Sequence, residues 1–163
     1  MASWGDIERA EPDFAARVRS RFDAYRHKVL ATLRRDGAPR ISGIETSFDR
    51  GEVWLGMMKG SRKALDLQRD PRMAVHSGTE DPNEDEVMAG VVVDAKLSGR
   101  AVEVRDEATL RRVQGIEGGD LPEAHLFRVD IEEVVLIAIG DPADHLLIES
   151  WDPHRGLRAR KRY

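Results

Sequence analysis

Cationic and small side chains crowd one short stretch of the sequence, between an alternating apolar run and a helical pattern. Lys59, Arg62 and Lys63 lie there beside Gly60 and Ser61. The first turn of a helix carries a partial positive charge, so cations are unfavourable there unless an anion balances them. Free backbone N–H groups, a hydroxyl, a guanidinium and an ammonium group all bind phosphate oxygens. The pattern predicts either a site for a terminal phosphate or a solvated face on which the cations pair with nearby carboxylates.

Other patterns that could carry chemistry are incomplete. The sequence has no cysteine, which excludes disulfides, thiol nucleophiles and cysteine metal sites. A calcium-loop pattern starting at Asp81 fails, because Glu86 and Val92 stand where a glycine and a glutamate are required. Residues 56–63 lack phosphate-loop spacing, and no serine-hydrolase GxSxG elbow occurs. The histidines are not spaced as metal-ligand pairs. We therefore predict no metal site and name no catalytic residue.

The elements that must position the cations follow from apolar periodicity. Helical spacing of apolar residues predicts an N-terminal helix within residues 1–27, with Asp13 as its N-cap. Alternating apolar residues predict strands near 29–33, 41–46, 53–55, 72–77, 91–104, 125–140 and 145–151. Because Gly-bearing turns separate the first three strands, we expect an antiparallel meander there.

Two short helices and two irregular segments complete this prediction. One helix spans residues 61–69, with Ser61 as N-cap and Leu65 on its inner face. The other begins after Asp106 and ends at Gly118-Gly119, while Ser98-Gly99 marks a bulge or bend. An acidic loop is predicted over residues 79–90. About six strands with short helices between them predict a mainly β fold, a six-stranded antiparallel barrel with peripheral helices, in a single domain.

Charge and composition narrow the class of protein. The formal net charge of −4 argues against a general nucleic-acid binder, although five of the last nine residues are Arg or Lys. We expect residues 152–163 to form a solvated basic tail. The charged N-terminus has no apolar signal-peptide core, and no apolar run is long enough to span a bilayer. These features predict a cytoplasmic protein without membrane partners.

Three sequence segments together resemble the pyridoxamine 5′-phosphate oxidase-like family. They are GAPRIS at 37–42, GEVWLG at 51–56 and SRKAxxLxxDPRMAV at 61–75. The similarity runs from about Lys28 to Val104 and resumes weakly at LFRV, residues 126–129. This is the flavin-binding split-barrel superfamily, which also includes deazaflavin-dependent reductases. The resemblance implies a split antiparallel barrel and a homodimer with two cofactor sites across its interface.

The resemblance also implies the cofactor and the residues that bind it. In the family the Ser-Arg-Lys segment binds the flavin phosphate, so the anion among the cations would be the phosphate of FMN or of the deazaflavin coenzyme F-420. Arg40 would reach the same phosphate, and Gly43 would leave room for the flat ring. The full set of implied cofactor-binding residues is Arg40, Ser42, Gly43, Ile44, Met57, Met58, Lys59, Ser61, Arg62, Lys63 and Lys96.

The sequence departs from true pyridoxamine phosphate oxidases at two strand positions. Glu45 stands where they carry a lysine, and Asp94 where they carry a glutamine. Their C-terminal substrate segment is not recognisable here. Carboxylates at these positions would repel a nearby phosphate. We therefore do not expect a vitamin B6 phosphate as the substrate.

Several functions remain open after this comparison. The leading hypothesis is an FMN-dependent oxidoreductase that transfers hydride or electrons to or from a small organic substrate, the chemistry being supplied by the cofactor. A deazaflavin-dependent reductase is an alternative, because the C-terminal arginines could bind the acidic tail of F-420. A non-catalytic flavin- or haem-binding module is another, with His76 or His125 as haem ligand. A nucleic-acid-binding protein is a third class, disfavoured by the lack of aromatic residues among the C-terminal cations.

Overall fold

Eight antiparallel strands form one continuous sheet in the computed structural model of the protein, which describes residues 1–79, 83–85 and 91–163. They are β1 (His27–Leu33), β2 (Pro39–Asp49), β3 (Glu52–Met58), β4 (Arg72–His76), β5 (Val92–Val104), β6 (Ala124–Ile139), β7 (Leu146–Asp152) and β8 (Gly156–Arg162). The predicted acidic loop over residues 79–90 and the calcium-loop pattern fall largely outside the described residues.

Six of these strands close into a barrel, which confirms the predicted fold class. The sheet runs in the order β3-β2-β1-β4-β5-β6-β7-β8, and β3 also pairs with the first part of β6. Leu55 lies opposite Phe127 at this closing seam. The second part of β6 pairs instead with β7, from Val134 opposite Trp151 onwards. The last two strands therefore extend the sheet beyond the barrel.

The predicted irregularity at Ser98-Gly99 is a β-bulge. The register of β5 against β6 shifts between these two residues. A Cβ atom at Gly99 would lie 2.1 Å from the carbonyl oxygen of Asp130. Because that separation is far inside van der Waals contact, only glycine allows the two backbones to approach so closely.

Four helices lie wholly within the described residues: α1 (Trp4–Ala10), α2 (Pro12–Asp23), α3 (Arg62–Arg69) and α4 (Glu107–Gln114). The helix predicted from the apolar spacing after Pro12 is present as α2, but it ends at Asp23; α1 was not predicted, and His27 already belongs to β1. Glu11, not Asp13, is the N-cap of α2. Pro12 is the first helical residue, where its missing N–H group leaves no hydrogen bond unmade.

Helix α4 begins as predicted and ends earlier. The Asp106 side chain accepts a hydrogen bond of 2.9 Å from the backbone N–H of Thr109, the geometry of an N-cap. The helix ends at Gly115, which has a φ of 67°, rather than at Gly118-Gly119. A left-handed residue after the last helical turn favours glycine, so the first available glycine ends the helix.

The two N-terminal helices pack on the barrel and complete its core. The rings of Trp4 and Phe22 meet the ring of Phe48 edge-on, with centroids 4.8 and 5.6 Å apart. Phe14 and Val18 on α2 are also fully buried. Burying such large apolar side chains is the main source of stability in a domain of this size. Among the described residues, no helix is long and apolar enough to cross a bilayer.

A solvated tail was predicted for the basic C-terminal segment, but the segment forms a strand. Residues 156–162 form β8, which pairs with β7 along its whole length. Arg158 also donates to Asp152, with Nη2 and Oδ2 2.8 Å apart. The cations of this segment are therefore held on the edge of the sheet.

Candidate functional site

A cleft of about 510 Å³ opens along β2 and β3, and we call it the β2–β3 cleft. Five of the predicted cofactor-binding residues line it: Gly43, Ile44, Met57, Met58 and Lys63. A Cβ atom at Gly43 would meet nothing within 4 Å, so the glycine leaves open space. Small residues and polarisable thioethers make a weakly polar lining. Such a cleft can accept a flat ring.

The first turn of α3 brings a cation to this cleft. Lys63 donates from Nζ to the carbonyl oxygen of Gly43, which joins α3 to β2 at the cleft. Lys63 has no carboxylate partner among the described residues, so its positive charge is not neutralised by an ion pair. The ammonium group therefore provides electrostatic attraction for an anion beside the cleft.

A second cavity, of about 490 Å³, lies beside α3, and we call it the arginine cavity. It is lined by Arg35, Arg40, Leu65, Asp66, Arg69 and Arg62. Four guanidinium groups thus face a single carboxylate, and the cavity carries net positive charge. Because Arg62 and Lys63 are consecutive residues, the arginine cavity and the β2–β3 cleft are neighbours. This arrangement suits a ligand with a planar part and an anionic part.

The buried carboxylate of Asp66 organises the arginine cavity. Its Oδ2 accepts hydrogen bonds from Arg40 Nε at 2.6 Å and from Thr32 Oγ1 at 2.9 Å. Arg69 Nη2 lies 3.3 Å from Oδ1. Burial raises the pKa of the Asp66 carboxyl, but the hydrogen bonds from Arg40, Thr32 and Arg69 outweigh burial, and the pKa lies below its usual value. The group is therefore charged at neutral pH and holds Arg40 against α3.

The inner face of α3 differs from the prediction. Leu65 is 45% exposed, whereas Ala64, Asp66 and Leu67 are buried. Apolar character alone could not predict this orientation, because the charged residue is the one that finds three hydrogen-bond donors inside. The placement of Leu65 on the inner face was therefore wrong.

Ser61 supplies an unsatisfied hydroxyl group at the start of α3. Its backbone has the extended geometry of an N-cap, as predicted, but its side chain makes no capping hydrogen bond. The Oγ atom is buried and has no hydrogen-bond partner in the part of the chain that the structure describes. A buried hydroxyl without a partner is unfavourable by about 1–3 kcal/mol.

The turn between β3 and α3 is tied to the beginning of β6. Lys59 pairs with Glu123, and both side chains are largely exposed. The N–H of Gly60 donates to Nε2 of His125 at 3.2 Å. Lys59 is therefore held toward Glu123 and lines neither the β2–β3 cleft nor the arginine cavity.

Sequence similarity identifies the family to which the chain belongs. A sequence model of pyridoxamine 5′-phosphate oxidase matches residues 15–138, which include the β2–β3 cleft and the start of α3. The chain belongs to the pyridoxamine 5′-phosphate oxidase family. No curated protein sequence matches the chain closely enough to add to this assignment.

Solved structures share the fold of this pyridoxamine 5′-phosphate oxidase family member at low sequence identity. A Listeria innocua protein described as a pyridoxamine 5′-phosphate oxidase is 17% identical, with a TM-score of 0.60, over 74% of this chain and 95% of its own. A Clostridium acetobutylicum protein related to general stress protein 26 is 14% identical, with a TM-score of 0.56, over 93% and 96%. The haem storage protein of Vibrio cholerae is 17% identical, with a TM-score of 0.51, over 76% and 90%.

Of the two departures from the pyridoxamine 5′-phosphate oxidase pattern, Glu45 has an ion-pair partner, whereas the Oδ1 atom of Asp94 is buried without a hydrogen-bond partner among the described residues. Glu45 lies on the rim of the β2–β3 cleft and pairs with Arg26, with Nε 2.9 Å from Oε1. Asp94 Oδ1 lies 3.6 Å from Nε2 of His76. Because Arg26 offsets the charge of Glu45, the repulsion that Glu45 would exert on a nearby phosphate is reduced.

The two histidines considered as haem ligands are already engaged. His125 has Nδ1 2.7 Å from Glu103 Oε1, and its Nε2 accepts from Gly60. His76 accepts at Nδ1 from the N–H of Gly78 at 3.2 Å, and its Nε2 faces Asp94. A haem ligand needs a ring nitrogen with a free lone pair. His125 offers none without breaking a hydrogen bond, whereas Nε2 of His76 makes no hydrogen bond with the described residues and only lies near Asp94.

Of the eleven predicted residues, five line the β2–β3 cleft and two, Arg40 and Arg62, line the arginine cavity, whereas Ser42, Lys59, Ser61 and Lys96 line neither. Ser42 pairs through its backbone with Leu30 of β1 and lines neither cavity. Lys96 lies on β5, in a separate cavity of about 680 Å³ that it shares with arginines of β8. The cations of β8 therefore lie with Lys96 and not with Arg62.

Other residues that line the β2–β3 cleft were not predicted from the sequence. His27 faces Glu45 across the β1–β2 hairpin, so the turn length could have placed it. Gln114 comes from α4, and its place at the cleft depends on long-range packing that no local pattern encodes. The Thr46 Oγ1 and Gln114 Oε1 atoms are buried without hydrogen-bond partners among the described residues.

Proposed function

We propose that the protein is a flavin-dependent oxidoreductase that binds FMN, with the ring in the β2–β3 cleft and the phosphate at the first turn of α3. One observation carries the proposal: Lys63 joins the open backbone at Gly43 to a turn whose neighbouring cavity holds Arg62 and Arg40. This arrangement supports a planar group and a terminal phosphate bound side by side. Family membership supports the flavin, since the family generally binds one.

Each residue has a distinct part in this proposal. Arg62 and Lys63 supply the charge that attracts the phosphate, and Ser61 supplies a hydroxyl donor that now lacks an acceptor. Gly43 leaves space for the ring, and Met57 and Met58 line it. Bound FMN would supply hydride or electron transfer, so no side chain need act as a nucleophile. A small organic substrate would share the open part of the cleft.

We also propose that two copies of the chain associate at this face. Ile41, two residues before Gly43 on β2, is 75% exposed, and Met58, which lines the cleft, is 80% exposed. Exposed large apolar side chains grouped around a cleft are typical of a surface that another molecule covers. A second copy placed there would shield the ring from water.

A deazaflavin-dependent reductase is less well supported by this structure. The acidic tail of F-420 would need a basic groove that continues from the phosphate site. The C-terminal arginines instead line the cavity at Lys96 and do not join Arg62. The arginine cavity alone would have to bind that tail.

A haem-binding module is the other alternative, since a haem storage protein shares the fold. The hydrogen bonds at both ring nitrogens of His125 and at Nδ1 of His76 argue against it. Absorbance distinguishes the two, because haem gives an intense Soret band whereas FMN absorbs in the blue and fluoresces.

The test is a titration of the apo-protein with FMN, F-420 and haem in separate experiments. The Arg62→Ala/Lys63→Ala variant should lose most FMN affinity, whereas Arg160→Ala/Lys161→Ala on β8 removes the same charge elsewhere and should bind normally. Equal affinity in both variants would contradict the phosphate site. Tight binding of F-420 or haem, with none of FMN, would replace the proposal with that alternative.

A further inference from the structure

The turn that carries the phosphate-binding residues is anchored by one side chain of β6. Gly60 adopts a left-handed conformation, with a φ of 67°, immediately before Ser61. Its N–H donates to Nε2 of His125 at 3.2 Å. This hydrogen bond and the neighbouring Lys59–Glu123 pair tie the turn to the same segment. His125 therefore helps to position this turn, together with the hydrogen bond of 3.2 Å from the Ser61 N–H to the carbonyl oxygen of Met58.

The protonation of the His125 ring follows from its other neighbour. Nδ1 lies 2.7 Å from the Oε1 atom of Glu103, a carboxylate oxygen that can only accept. The hydrogen of the neutral ring is therefore on Nδ1, and Nε2 keeps the lone pair that accepts from Gly60. Burial raises the pKa of Glu103, but hydrogen bonds from Arg105, His125 and Gln68 lower it by more, so the carboxylate stays charged.

We propose that His125, held by Glu103, is a positioning residue for the phosphate-binding turn, because its Nε2 accepts the hydrogen bond that fixes Gly60. A side chain without an acceptor at this position would leave the Gly60 N–H unbonded and the turn without this anchor. This inference rests on the proposed phosphate site for its consequence, but the hydrogen bond itself does not require a ligand.

The charged and polar groups around His125 hold its ring in place. Glu103 lies on β5, and Arg105 follows directly after this strand. Nη2 of Arg105 is 2.8 Å from Oε2 of Glu103, so the two form an ion pair. Gln68 of α3 donates to the same Oε1 atom that faces His125, at 3.1 Å. Lys59 lies on the turn and Glu123 lies just before β6, and the two side chains form an ion pair. Gln68 Nε2 also lies 3.5 Å from Nδ1 of His125, so Glu103 and Gln68 together hold the ring in place.

The first experiment observes the Gly60 amide in the apo-protein by NMR. His125→Phe, which keeps a ring but has no acceptor, should shift the ¹H and ¹⁵N resonances of this amide and lower its protection from exchange relative to the wild type. His154→Phe should leave both unchanged. A Gly60 amide equally protected in the wild type and in His125→Phe would overturn the proposal, and this measurement needs no cofactor.

The second experiment compares FMN with riboflavin, which lacks the phosphate, at pH 8. His125→Phe should weaken FMN binding about five- to tenfold, the effect of one lost hydrogen bond, and leave riboflavin affinity unchanged. His154→Phe, an exposed histidine between β7 and β8, is the matched control. An equal loss for both flavins would assign His125 a general structural role and overturn the proposal. If the wild type binds neither flavin, the proposed function fails while the Gly60 measurement still decides the role of His125.

Discussion

The guanidinium of Arg40 and the carboxylate of Asp66 form a charge-assisted hydrogen bond, with Nε 2.6 Å from Oδ2. The bond fixes β2 to α3 at the wall of the arginine cavity. Asp66 offsets part of the positive charge of Arg40. Arg40 is therefore held in place and attracts an anion less strongly than an unpaired arginine would. Arg62 and Lys63 have no carboxylate partner among the described residues. Most of the attraction for an anion therefore comes from those two cations.

Replacing Asp66 with Asn should destabilise the fold, because Arg40 would lose its counter-charge in a partly buried site. We expect a loss of about 2 kcal/mol in the free energy of unfolding, less than for a fully buried pair because Arg40 retains some exposure. Urea denaturation measures the change. Glu132→Gln, at an exposed position of β6, should shift the free energy by less than about 0.5 kcal/mol. Equal midpoints for the two variants would contradict this role of Asp66.

The contribution of Asp66 should also depend on pH. Its folded pKa is lowered, so its stabilising effect is present above the unfolded value of about 3.9 and is lost as pH falls through the folded value. The difference in stability between wild type and Asp66→Asn should be constant from about pH 5 to 7 and shrink below about pH 4. Denaturant midpoints at several pH values test this. A difference that grows on acidification would show that another group dominates.

Replacing Gly43 with Val should block cofactor binding without harming the fold. A Cβ atom there meets nothing within 4 Å, and a β-branched residue suits a strand. We expect FMN affinity to fall by more than about tenfold, because the side chain occupies the space meant for the ring. Fluorescence titration and thermal unfolding measure the two effects. Ala159→Val on β8 controls for the added volume, and undiminished FMN binding by Gly43→Val would place the ring elsewhere.

Replacing Ile41 with Glu should separate the proposed dimer. The side chain is 75% exposed in the single chain, so a charge there should leave the monomer intact. Buried in an interface, an unpaired carboxylate is strongly unfavourable. Light scattering coupled to size-exclusion chromatography should show the mass of a monomer for this variant and of a dimer for the wild type. Leu146→Glu on β7 is the matched control, and a dimer that survives Ile41→Glu would move the interface to another face.

Replacing Gly99 with Ala should destabilise the barrel by about 1–3 kcal/mol. The added methyl group would meet the carbonyl oxygen of Asp130 at 2.1 Å, so β5 and β6 would have to move apart at the bulge. Thermal unfolding measures the loss. A Cβ atom at Gly118 meets nothing within 4 Å, and Gly118→Ala should therefore be nearly neutral. Similar melting temperatures for both variants would show that the bulge relaxes freely.

The strands around the site could be predicted because each alternates apolar and polar residues and ends at a recognisable turn. The Gly51 turn and the Asp106 cap are local signals of this kind. The segment at 156–162 was missed as a strand because four of its seven residues are cationic and carry no apolar alternation. Its strand conformation comes from backbone pairing with β7, which the sequence of the segment does not encode.

The candidate site was predictable in part for a similar reason. Gly43 and Lys63 belong to continuous motifs, and the structure joins them at one cleft. The inward orientation of Asp66 and the place of Gln114 depend on contacts between distant segments. The anchoring of Gly60 by His125 joins residues 65 positions apart. No local pattern predicts such contacts.

The position of β8 at the end of the sheet also affects how copies of this protein meet at high concentration. Barrel closure leaves β1 to β6 with paired neighbours, whereas the outer side of β8 pairs with no strand among the described residues. An unpaired strand side can recruit the same strand of another molecule and start aggregation. Arg158, Arg160, Lys161 and Arg162 would face their own copies in such an arrangement and repel them. The cations of β8 should therefore keep the protein from polymerising through its sheet, most strongly at low ionic strength.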